Sequence, residues 1–211
     1  MKPKLKIFIN HPECSIECGA GMYHALSKDF KIDFFSKDDI KSKLFRNLDI
    51  IAFPGGIGDS DKFDKILKPK QEYIIEYIKN NGRYLGICMG AYWAGRHYFN
   101  ILKDVEPVQY IKRPRANIKR SYGTTAKINW QGREERMYFY DGCSLLGNEK
   151  KFKVIARYSN NDPMAIIQKN IGLIGCHPES MPGWYDKKYM SDKWHNYNHH
   201  YLLLEFTKRL L

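Results

Sequence analysis

No apolar run in the sequence is long enough to span a bilayer, and the first one, Leu5 to Ile9, stops at Asn10-His11-Pro12-Glu13. That run is too short for the core of a signal peptide and reads as a first strand, so neither a membrane partner nor export is expected. Cysteine is scarce, with five in 211 residues, an odd number scattered along the chain. This argues against a disulfide framework and for reduced thiols in a cytoplasmic setting. Cys14 and Cys18 are spaced C-x-x-x-C, but no second pair completes a zinc site, so two free thiols and no metal are expected. No G-x-G-x-x-G follows the first strand and no Walker A loop occurs, which removes those nucleotide-binding classes and leaves no expected cofactor. No repeat, linker or low-complexity tract divides the sequence, and its length suits one α/β domain over 1–211.

Acids are short relative to bases, 23 against 35, which leaves a formal charge of +12. Part of the excess sits in Lys112-Arg113-Pro114-Arg115-Ala116-Asn117-Ile118-Lys119-Arg120, a run without an acid, flanked by Tyr110 and Tyr122. Such a run can contact phosphates, yet no nucleic-acid-binding motif accompanies it. The expected readings are a solvated loop, or a segment over a pocket that attracts an anionic substrate, with nucleic acid the weakest alternative.

Three segments carry chemistry. Tyr84-Leu85-Gly86-Ile87-Cys88-Met89-Gly90 places a cysteine between two glycines where an apolar strand turns into a helix starting near Ala91. A sharp strand-to-helix turn strains the nucleophile's backbone, and Gly86 and Gly90 keep side chains out of the tight space beside it. Cys88 then sits at a helix N-terminus, which favours thiolate. A buried, inert cysteine is the plain alternative. Ile171 to Cys176 reads as another short strand and runs into His177-Pro178-Glu179, a histidine and carboxylate suited to a Cys-His-Glu triad assembled in space. Asp49 to Asp59 is a strand that opens into Pro54-Gly55-Gly56-Ile57-Gly58, a loop able to expose amides at Gly55, Gly56 or Ile57. With the Met89 amide these could hold an oxyanion, though Pro-Gly-Gly also marks ordinary turns.

Alternation of strand and helix fills the first half. Strands are predicted over 5–9, 32–36, 50–54 and 84–88, with helices over 19–28, 38–46 and 69–80, the last capped by Gly82. This implies a doubly wound, mostly parallel sheet covered on both faces. Short strands over 126–130, 136–140, 154–158 and 164–168 suggest antiparallel hairpins added to one edge, with turns at Gly132 and Asn170. A helix over 194–210 closes the chain. His195 and His199 would lie one turn apart on it as ordinary exposed histidines, without the glutamate of H-E-x-x-H. All three chemical segments fall at carboxyl ends of strands, where open α/β sheets bind ligands.

In this order, the Gly-Gly loop, the Gly-Ile-Cys-Met-Gly elbow and the late His-Pro-Glu resemble the class I glutamine amidotransferase-like superfamily. Within it, Pro54-Gly55-Gly56 with Tyr84 to Tyr92 is most similar to the amidotransferase-like domain of some biotin-protein ligases and its stand-alone relatives. The resemblance implies a flavodoxin-like sheet, a Cys88–His177–Glu179 triad, and a partner synthetase or ligase. Glutamine-using members usually carry Gln where this chain has Tyr92, and the arginine- and glycine-rich signature of biotin ligation is absent. The expected activity is cleavage of a C–N amide-type bond in a small molecule, with Tyr92, Asp59 and Trp184 as candidate substrate contacts. The alternative is a binding module that keeps the fold without turnover.

Overall fold

The computed structural model describes residues 1–10, 15–56 and 60–211. Its first half runs β1 (Lys4–Phe8), α1 (Ile16–Leu26), β2 (Lys31–Phe35), β3 (Ile50–Phe53), α2 (Ser60–Ile66), α3 (Gln71–Lys79), β4 (Arg83–Ile87) and α4 (Met89–Trp93). The second half adds β5 (Val105–Gln109), β6 (Thr124–Trp130), β7 (Arg133–Phe139), β8 (Cys143–Gly147), β9 (Lys153–Tyr158), β10 (Pro163–Gln168), β11 (Ile171–Ile174) and α5 (Asn198–Lys208).

One sheet has the order β2-β1-β3-β4-β11-β10-β9-β6-β7. From β2 to β11 neighbouring strands pair parallel, and from β11 onward they pair antiparallel. The order 2-1-3-4 is that of a flavodoxin-like sheet, and the antiparallel strands extend it past β11, as the turn signals of the second half predict. Successive strand residues feed opposite faces. Leu5, Ile7, Ile50, Ala52, Leu85 and Ile87 pack with Met22 and Leu26 of α1 and Leu203 of α5. Phe8, Ile51, Phe53 and Tyr84 pack on the other face with Phe63, Ile74 and Trp93. Burial on both faces is why these strands read as continuous apolar runs.

Several boundaries differ from expectation. The helix predicted over 38–46 is two 3-10 turns, Lys37–Asp39 and Ser42–Phe45. Ser36 and Asp39 cap the first reciprocally, and Ile40 then leaves helical geometry (ψ 100°) to become fully buried. Burial of that side chain overrides the local periodicity. The 69–80 helix starts only at Gln71, after a 3-10 turn at Lys68–Lys70. Its left-handed terminal residue is Asn81 (φ 65°), not Gly82. Gly82 is instead required by packing, since a Cβ there would fall 2.4 Å from the Tyr77 ring. The antiparallel ribbon β5–β8 and helix α2 were not anticipated, and α5 begins at Asn198 and not at Trp194. Gln131 (φ 51°) and Gly132 (φ 90°) make the two-residue turn between β6 and β7.

The register places the ends of β3, β4 and β11 side by side, with Phe53 opposite Gly86 and Ile87 opposite Ile174. The chain leaving each of these three strands forms the candidate site.

Candidate active site

Cys88 follows β4 with φ 49° and ψ −104°, a conformation that side chains rarely adopt, and it is the N-cap of α4. The turn is held from both sides: the Cys88 N–H donates to Ile174 O (2.8 Å), and its carbonyl accepts from Ala91 N (3.0 Å) and Tyr92 N (3.1 Å). The elbow glycines are a steric requirement. A Cβ on Gly86 would sit 2.5 Å from Gly90 O, and one on Gly90 would sit 2.0 Å from Phe53 O. The Cys88 thiol is nearly buried and lies 3.6 Å from Tyr140 O.

His177 is fixed by its own backbone, whose N–H donates to Tyr138 O at 2.9 Å in an isolated bridge to β7. Its Nδ1 lies 2.8 Å from Glu179 Oε1, and Glu179 has no exposed surface. Burial alone would lower the His177 pKa, but the charges of Cys88 and Glu179 and hydrogen bonds to Cys18 and Cys88 raise it well above the usual histidine value. The protonated form of the ring is thus favoured where it lies beside Cys88 and Glu179. Gly21 lets the His-Pro-Glu turn press on α1, since a Cβ there would meet Glu179 O at 2.1 Å. Behind the turn, His200 Nε2 hydrogen-bonds Ser180 O (3.0 Å), while Ser180 Oγ contacts His195 Nε2 (3.2 Å) and the Tyr185 hydroxyl (2.9 Å).

Two further residues meet the histidine. A Cβ on Gly55 would lie only 2.5 Å from His177 Cε1, so this glycine makes room for the ring as well as lying beside the elbow. Trp184, in a 3-10 turn at Pro182–Tyr185, meets the His177 ring edge-on with centroids 5.5 Å apart, and Tyr138 at 5.0 Å. Gly56 follows with φ 155°, and Met89 is the first residue of α4, where amides lack intrahelical acceptors. Tyr92 is half-buried and donates its hydroxyl to Asp141 O (3.1 Å). Burial, then the charges of Cys143, Cys88 and Asp141, push its phenol far up, so it stays a neutral donor. Asp59, Ile57 and Cys14 lie outside the described residues.

Sequence reasoning missed Cys18. Its Sγ, a His177 ring nitrogen and a Glu179 carboxylate oxygen all lie within 4.8 Å of one another. Burial raises its thiol pKa, with the His177 hydrogen bond and charge opposing. Nothing local marks it, because the contact is made by α1 crossing beneath the β11 turn. The tail histidines also depart from expectation: His195, His199 and His200 are buried, and His195 caps α5 by accepting the His199 N–H (3.2 Å). In the basic segment, Arg113 pairs with Asp162 at 2.7 Å, and Arg120 lies over the Tyr122 ring at 5.1 Å. A cavity of about 880 Å³ lined by Lys127, Arg136 and Arg157 opens on the antiparallel end and includes none of these site residues.

The family model described as glutamine amidotransferase class-I matches residues 20–196. Among solved structures, PurLQS from Thermotoga maritima superposes with a TM-score of 0.65 at 14% identity, covering 97% of this chain and 98% of that one. A glutamine amidotransferase from Thermotoga maritima gives 0.64 at 12% identity over 99% and 91%. A protein from Thermoplasma acidophilum described as a GMP synthase subunit gives 0.61 at 18% identity over 99% and 98%. At these identities the likeness is one of fold. A search of curated proteins returns no match.

Proposed function

The chain belongs to the class I glutamine amidotransferase family, and from that premise we propose that it cleaves a C–N amide-type bond through Cys88, His177 and Glu179. The observation that carries this reading is the strained Cys88 elbow coupled to a buried His177 whose Nδ1 is held by Glu179 at 2.8 Å. The Cys88 thiolate attacks the amide carbon, and the amides of Met89 and the Gly55-Gly56 loop stabilise the oxyanion. His177 gives its proton to the departing nitrogen, the C–N bond breaks, and an acyl thioester remains on Cys88. His177 then takes a proton from water, which attacks the thioester and releases the acid and the thiol. Glu179 fixes the ring and offsets its charge.

Tyr92 bears on the substrate. Its hydroxyl is committed to Asp141 O, where glutamine-using relatives have a Gln side chain, and this supports an amide other than free glutamine and a place in the biotin-ligase-associated branch. The Thermoplasma protein is described as part of a synthase, which supports a synthetase or ligase as partner. Buried free thiols at Cys18, Cys88, Cys143 and Cys176 suit a reducing, cytoplasmic setting.

The test is turnover of glutamine and of a panel of small amides, with and without ammonia acceptors. Cys88→Ala and His177→Ala are each expected to abolish release of nitrogen, while Glu179→Gln leaves a residue of activity, reduced by as much as ~10⁴-fold. Unchanged turnover in Cys88→Ala would end the Cys88 reading, whereas no turnover of any amide by the unmutated protein would leave the binding-module alternative.

A further inference from the structure

Cys18 is a second thiol on the proposed catalytic histidine, and the mechanism above gives it no task. It projects from α1, 5% exposed, with its Sγ 3.1 Å from where a Gly55 Cβ would be, against the same ring edge. His177 and Glu179 are 4% and 0% exposed. One sulfur, one imidazole nitrogen and one carboxylate oxygen, all within 4.8 Å, are the donor types that zinc-class ions prefer. A second observation points the same way: Glu179 Oε2 is buried and, among the described residues, has no hydrogen-bond partner. A wholly buried carboxylate oxygen without a partner is costly, and a cation would satisfy it.

We propose that Cys18, His177 and Glu179 form a binding site for a soft divalent cation of the zinc class, and that its occupancy switches off the Cys88 chemistry. Only the second half rests on the catalytic reading above. Metal–ligand distances of about 2.0–2.3 Å put tetrahedral donors about 3.5 Å apart, so the cluster closes on a cation by shifts of about 1 Å. Binding releases the Cys18 proton, since thiolate is the ligand. The histidine is lost to catalysis whichever nitrogen is used. At Nδ1 the metal replaces the proton shared with Glu179. At the other nitrogen it displaces the proton that serves Cys88. Three protein ligands leave a fourth position open to water.

Cobalt titration of the protein under reducing, chelator-free conditions reads thiolate-to-cobalt charge-transfer absorption without requiring turnover. One equivalent should bind, with the band retained in Cys88→Ala, lost in Cys18→Ser with affinity lowered about 100-fold or more, and displaced by Zn²⁺. Zinc-edge X-ray absorption on the unmutated protein should count a single sulfur ligand, which keeps the proposal testable even if Cys18→Ser folds poorly. Absence of the band, its loss in Cys88→Ala with retention in Cys18→Ser, or a sulfur count of zero or two would overturn the site. Full activity of zinc-loaded protein, in an assay where the metal-free protein turns over, would overturn the inhibitory role alone.

Discussion

Replacing Gly55 by alanine tests whether the triad depends on steric room next to His177. Gly55 is not one of the positive-φ glycines, so alanine costs no backbone strain there and the effect is purely one of space. The added methyl would lie 2.5 Å from His177 Cε1, 3.1 Å from Cys18 Sγ and 3.3 Å from Nδ1. Ordinary carbon contacts are about 3.5–4.0 Å, so the ring must retreat by roughly 1 Å. It cannot do so freely, because Glu179 holds Nδ1 at 2.8 Å and Trp184 stands against the ring. A displacement of about 1 Å at a catalytic group costs on the order of 10²-fold in rate, whereas overpacking costs roughly 1–3 kcal/mol of stability. Two assays separate these effects. The rate of Cys88 alkylation by iodoacetamide reports the Cys88–His177 coupling without a known substrate, and thermal melting reports the fold. Gly55→Ala should slow alkylation and any amide turnover by about 100-fold while remaining folded. Alkylation at the parent rate would refute the claim that Gly55 positions the histidine.

Three other outcomes are expected. Among the described cysteines, limited iodoacetamide at neutral pH should label Cys88 ahead of Cys18, Cys143 and Cys176, because burial raises the Cys18 thiol, pushes Cys143 well up and takes Cys176 to about 12; faster labelling of any of these in peptide maps contradicts the elbow reading. Stability should fall on acidification through the tail histidines: burial, then the charge of His200, lowers His199 from 6.5 to about 4, so the unfolded chain binds more protons in that window and stability present above it is lost as pH falls. The loss from His199 is on the order of 3 kcal/mol, partly offset by Glu135 at 3.2 Å from its Nε2, and His199→Gln should flatten urea midpoints measured across the window; an unchanged pH slope would refute this. Binding of short RNA or DNA should be weak and vanish by physiological salt, since Arg113 is already paired with Asp162; salt-resistant binding in a filter assay, lost on neutralising Arg115, Lys119 and Arg120, would reverse that reading.

The parallel half of the sheet was readable because its strands are buried on both faces, so Ile50 to Phe53 and Tyr84 to Ile87 carry an uninterrupted apolar signal. What failed lay where a single tertiary contact decides local structure. Ile40 breaks the helical pattern of 38–46 by burying itself completely. The ribbon β5–β8 contains Pro107 on one strand and a buried Ser144 on the other, neither of which advertises a strand. His195 to His200 look like a polar helix start, yet the three histidines His195, His199 and His200 are buried, with His24 Nδ1 3.2 Å from His200 Nδ1.

The site divides along the same line. The placement of Cys88 after β4 and of His177 and Glu179 after β11 was readable because an elbow and a His-Pro-Glu turn are written in adjacent residues, while the roles of the three are those proposed above. Cys18, Gly21 and Gly55 were not legible in their roles, because these come from helix α1 and the β3 loop converging on one imidazole. The convergence has a consequence for the histidine. The ring is held by Glu179 on one nitrogen, faced by two thiols and walled by Trp184. In the proposed mechanism such confinement keeps His177 aligned for proton transfer between Cys88 and a departing nitrogen. On the two proposals above, a fully buried His-Glu pair with a spare carboxylate oxygen and a neighbouring sulfur would serve as a precise proton shuttle without a cation and as a trap for a soft one, with Cys18 supplying the ligand that separates the two.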